Sequence, residues 1–119
     1  LVVIAIIGLL AGIVLVSLGT ARESARNARI ESGLSQLRTQ AELFANANGQ
    51  AYTGFCADGE TTKITADLTT QGDAAATCNA IATDYCVEAT LAGGGFRCVS
   101  DDGQLGTITC AGVATTLCQ

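Results

Sequence analysis

The sequence predicts an α+β protein: a long N-terminal α-helix, hydrophobic and then amphipathic, packed on a small antiparallel β-meander head stapled by disulfides. Three observations predict it. Residues 1–18, LVVIAIIGLLAGIVLVSL, carry no charge. Apolar residues then recur at helical spacing as far as Phe44. All six cysteines lie after Gly49, among short β-branched runs separated by glycine-rich turns.

The first segment holds a single hydroxyl, Ser17. As a helix it reaches about 27 Å, near the thickness of a bilayer's hydrocarbon core. A cleaved secretory signal needs a basic flank before the apolar run and a small-residue cleavage site after it, and neither flank fits. Instead Ile30, Leu34, Leu37, Ala41 and Phe44 follow at spacings of 4, 3, 4 and 3, one stripe of a helix. No proline interrupts the chain, and Asn48-Gly49 offers a stop where glycine takes the left-handed conformation at little cost. One helix of nearly 48 residues, roughly 70 Å long, is predicted.

At about 100° per residue, Arg22, Arg26 and Arg29 share a face beside the apolar stripe. They mark where the helix leaves hydrocarbon and read as a solvated or headgroup-facing polar patch in preference to a specific site for an acidic receptor. Glu23, three residues before Arg26, relieves part of their repulsion.

Residues 49–83 are rich in Thr, Ala, Gly and Asp with scattered apolar positions, and read as a loop with a short helix around 73–82. Residues 86–91, 96–100 and 105–110 read as strands joined by Ala-Gly-Gly-Gly and Asp-Asp-Gly turns, the wiring of a meander. Such a sheet can cover the helix stripe, making Ile30, Leu34, Leu37, Ala41 and Phe44 the floor of the head. Each large side chain covered recovers about 1.5–3 kcal/mol. The organisation expected is 1–24 for the membrane or core half of the helix and 25–119 for the head. The head divides into amphipathic helix 25–48, loop 49–83, meander 84–110 and a C-terminal disulfide loop 110–118.

Six cysteines in a small Gly- and Thr-rich segment point to three disulfides formed in an oxidising compartment. No two are closer than eight positions, and the chain has no histidine, which argues against zinc. Fifteen connectivities are open. Proximity favours Cys56–Cys78 around the loop, Cys86–Cys98 across the glycine turn as direct or diagonal neighbours, and Cys110–Cys118 at the tail. The net charge is −5, and Lys63 and Arg97 are the only cations beyond residue 38, so nothing in the head favours a nucleic-acid backbone. Without histidine or a nucleophile-elbow motif, the chain is not expected to be an enzyme, and no cofactor is expected.

At this point LVVIAIIGLLAGIVL resembles the N-terminal helix of type IV pilins and of the related pseudopilins of type II secretion. The order helix, loop and meander extends the resemblance along the chain. It implies a helix that first anchors the subunit in the inner membrane and then packs with its neighbours in a filament core. It also implies processing by prepilin peptidase and handling by pilus assembly machinery. Family members carry an N-terminal phenylalanine and a glutamate a few residues in. Here no acid precedes Glu23, and residues ahead of Leu1 are expected to have been processed away or not represented.

Gly8 and Gly12 form a G-x-x-x-G flanked by Ala5 and Ala11, and helices can approach closely over such a face. The helix-packing set expected for a filament core is Ile4, Ala5, Gly8, Leu9, Ala11, Gly12 and Val16. Asp101 and Asp102 in Ser-Asp-Asp-Gly-Gln resemble a calcium loop of some pseudopilins, although adjacent aspartates are ordinary turn chemistry, the preferred reading.

The expected function is thus a structural subunit that polymerises with its own kind into an extracellular filament serving adhesion, twitching motility or DNA uptake, single-pass in the membrane before assembly. A secretion pseudopilin is the nearest alternative. A membrane-anchored extracellular binding module is a rival from another class, distinguished by a subunit that stays monomeric.

Overall fold

The computed structural model describes residues 1–101 and 105–106. One uninterrupted helix, α1 (Val2–Ala47), runs for 46 residues and gives the molecule its long dimension of 72 Å. It ends at the expected stop: the Asn48 amide donates to the carbonyls of Phe44 and Ala45, and Gly49 lies at φ +69°.

The head is built on the second half of α1. A 3₁₀ turn (Phe55–Ala57) leads into α2 (Gly59–Gln71), followed by β1 (Thr77–Ala80), β2 (Tyr85–Thr90), β3 (Phe96–Ser100) and the short β4 (Leu105–Gly106). The strands form one antiparallel sheet in the order β1-β2-β3-β4, with Val87 opposite Val99 and Cys86 opposite Ser100. The α+β class and the meander wiring match the sequence reading, with β1 as an additional edge strand.

The segment 49–83 departs from its expected loop. Its helix lies at 59–71 and not at 73–82, and 77–80 is a strand. Asp58 caps α2 by accepting from the amides of Glu60 and Thr61, which satisfies donors that a helix start leaves open. Five threonines disfavour this helix intrinsically. Four of them bond back within it or to its first turn, as Thr65 and Thr69 do to the carbonyls of Thr61 and Thr65. What holds α2 is tertiary: Thr61 and Leu68 are buried two turns apart, and Leu68 packs on Gly33 of α1.

The core joins Ile30, Leu34, Leu37 and Ala41 of α1 to Phe55, Leu68, Tyr85, Val87, Ala89 and Val99. These four α1 residues are fully buried, and Phe44 packs half-buried at the far end, edge-on to Phe55 at a centroid distance of 5.7 Å. The predicted floor is therefore the observed floor, but α2 shares with the sheet the task of covering it.

Gly72 lets α2 end against β2. A β-carbon there would strike the backbone carbonyl of Thr90, a neighbour that cannot swing aside. Gly72→Ala is expected to destabilise the head by about 1–3 kcal/mol. At Gly33 the group met is the flexible end of Leu68, at 2.8 Å, so Gly33→Ala should cost less. Thermal unfolding of the two variants checks the order, and equal losses would contradict it.

Cys56 and Cys78 are disulfide-bonded across 22 residues, tying the 3₁₀ turn to edge strand β1. Closing a loop of this length contributes about 3 kcal/mol in the chain-entropy model. The double variant Cys56→Ser/Cys78→Ser is expected to lose that amount in a denaturant melt; an unchanged midpoint would contradict it. Cys86 and Cys98 are likewise disulfide-bonded. The register places them diagonally on the sheet face turned away from α1, where they form a separate buried pair. The expected Cys110–Cys118 pair lies outside the described residues.

Candidate assembly interface

Every residue from 1 to 25 is exposed. The helix is long and apolar enough to cross a membrane, and none of its apolar window is buried within the molecule. Thirteen large apolar side chains stand in the open between Leu1 and Leu18. Leaving them in water forfeits on the order of 20–40 kcal/mol at about 1.5–3 kcal/mol each, more than a small domain's whole stability. This half of α1 requires an apolar environment, either lipid or other protein.

All of the expected packing residues, Ile4, Ala5, Gly8, Leu9, Ala11, Gly12 and Val16, lie on this exposed half. A shallow groove of about 880 Å³ runs along it from Gly8 to Ser24, with Leu9, Gly12 and Val16 in its wall. A methyl group placed at Gly8 or Gly12 would meet nothing within 4 Å. Both glycines sit within unbroken helix.

The arginine patch is divided. Arg22 stays exposed, where the helix leaves its apolar half. Arg26 turns to the head, donating from Nε to the Gln71 carbonyl at 2.8 Å and from Nη2 to that of Gly72 at 3.4 Å. Arg29 makes a two-point pair with Asp67 of α2 at 2.7 and 3.0 Å. Arg26 and Arg29 both also serve α2: Arg26 supplies hydrogen bonds to carbonyls at the C-terminal end of α2, which a helix leaves unsatisfied. Glu31, on the other flank of the stripe, receives Arg97 of β3 at 3.2 Å. These partly exposed pairs each stabilise only modestly, but together they fix α1 against both α2 and the sheet.

At the distal end, the Tyr52 and Tyr85 rings pack tilted at 51° with centroids 4.9 Å apart, and Tyr85 meets Phe55 edge-on at 5.2 Å. Burial, reinforced by neighbouring Tyr52 and Glu42, pushes the Tyr85 phenol well above its ordinary range. Burial also raises Tyr52. Both remain neutral at physiological pH, and the cluster packs the end of the head beneath the α1 terminus. Of the calcium candidates, Asp101 ends the described segment beyond β3, and Asp102 lies outside the described residues. Among the described residues no group of three Asp, Glu, Cys or His side chains could hold a metal ion.

Comparison with protein-family profiles, with curated proteins and with solved structures gives no match to this chain.

Proposed function

We propose that this chain is the structural subunit of an extracellular type IV pilus-like filament, polymerising through the apolar half of α1 while its head decorates the outside. The observation that carries the proposal is the continuity of α1. A fully exposed, uncharged helix half passes without a linker into the floor of a disulfide-bonded head. A flexible tether would suit independent display of a binding module; a rigid rod suits stacking.

In this reading the helix first spans the inner membrane. It then exchanges lipid for the helices of neighbouring copies after processing by a prepilin peptidase, under the control of pilus assembly machinery. The exchange costs little in solvation because both surroundings are apolar, so packing decides it. The groove from Gly8 to Ser24 allows close approach of a second helix. Such a polymer would serve adhesion, twitching motility or DNA uptake, and its disulfides fit the oxidising exterior.

Purified full-length chain in detergent, followed by light scattering during detergent dilution, tests this reading. Soluble, elongated assemblies of many copies are expected. Shapeless aggregates, or monomers that persist after the detergent is diluted away, would overturn it and favour the anchored binding module.

A further inference from the structure

The apolar contacts between α1 and the head begin at Ile30; no residue before it belongs to the core. Nevertheless the head reaches further down the helix through polar groups alone. Asn27 is used at both ends of its amide: Nδ2 donates to the Ala92 carbonyl at 3.1 Å, and Oδ1 accepts from the Ala92 amide at 2.8 Å. One residue earlier, Arg26 holds the carbonyls of Gln71 and Gly72 and approaches Asp73 at 3.8 Å. Asp73 in turn accepts from the Gly93 amide at 2.9 Å. The Glu23 carboxylate packs so closely on Gly93 that a β-carbon there would collide with it.

Three elements therefore end together at one level of the helix: the C-terminus of α2, the 91–95 turn between β2 and β3, and the turn of α1 from Glu23 to Asn27. We propose that these residues form a clasp that sets where the rigid head stops and the free helix starts, at residue 23 and not at Ile30. Apolar packing is non-directional, whereas the two-point Asn27–Ala92 pairing has directional geometry that a bending or rotating helix would break. Below the clasp, residues 17–22 are all exposed, and Ser17, Gly19 and Thr20 are weaker helix formers than alanine. Bending of the rod is thus directed to residues 17–22, between the apolar half and the clasp. Without the clasp, the flexible segment would extend to residue 29.

The clasp operates within a single subunit, so it stands or falls separately from polymerisation. Amide hydrogen exchange on the full-length chain in detergent micelles tests it, with Asn27→Ala from the helix side and Asp73→Ala from the head side. In the unaltered protein, amides 24–29 are expected to be protected with the head, and amides 19–22 to exchange faster. Asn27→Ala should speed exchange at 24–29 and at Ala92 and Gly93 by about tenfold or more, leaving Val87 and Val99 unchanged, as expected for local opening below the global unfolding limit. Asp73 is exposed, so Asp73→Ala should keep the fold and give a smaller change at the same sites. That variant decides the matter if Asn27→Ala loses protection throughout the head. Unchanged protection at 24–29 in a folded variant would overturn the proposal.

Discussion

Leu34→Ala is expected to remove about 2–5 kcal/mol of head stability. Leu34 is fully buried at the centre of the α1 stripe, between Ile30, Leu37 and Ala41, where α2 and the sheet both close over the helix. Three of its neighbours are themselves helical residues fixed by their own packing, so the surroundings relax poorly around the space left by the leucine. A total stability of about 5–15 kcal/mol is usual for a domain, and the loss is a large part of it. Urea unfolding of the full chain in detergent, followed by the tyrosine signal, measures the effect. Ser35→Ala is the control, since Ser35 is exposed and its hydroxyl donates to the Glu31 carbonyl one turn back within the same helix; it should move the midpoint little. Equal shifts in the two variants would mean that α1 is not the floor of the head.

Leu9→Lys is expected to act in the opposite manner, sparing the head and abolishing assembly. Leu9 lies midway along the uncharged segment, in the wall of the long groove, and touches nothing in its own head. A charge at the centre of a membrane-spanning helix costs about 2.5–3.5 kcal/mol on insertion scales, and in a packed bundle of helices it would also lack a partner in an apolar interior. In a polymer that cost recurs at every subunit. The expected result is a variant whose Cys56–Cys78 bond and unfolding midpoint are unchanged, but which forms no fibres. Undiminished fibre formation would place the interface elsewhere.

The two halves of the helix were legible in sequence for different physical reasons. An uncharged run of 18 residues needs no partner to be recognised. The stripe from Ile30 to Phe44 is legible because period and burial coincide at each position. Strands β2 and β3 were similarly clear, because β-branched residues end at glycine turns. In contrast, α2 was hidden by its threonines. The signal that could have found it was Asp58 as a cap, with Thr61, Ile64 and Leu68 at spacings of 3 and 4. The clasp had no local signal at all. Arg26 and Asn27 bond to residues 45 to 65 positions away, and an arginine facing a headgroup looks the same in sequence as one that serves a distant helix end.

Division of labour along α1 also explains why the head's stability and the chain's assembly should separate by mutation. Residues buried in the head begin at Ile30, and those free for other partners end near residue 22. The polar clasp and the Arg29–Asp67 pair lie between them.

Electron microscopy of material sheared from cells that make this protein, with mass spectrometry of the same fraction, tests the central claim most directly. Thin fibres whose principal component is this chain, and which disappear with Leu9→Lys but persist with Ser35→Ala, are the predicted result. Sheared fractions without fibres containing it, from cells whose membranes hold the folded subunit, would contradict the claim.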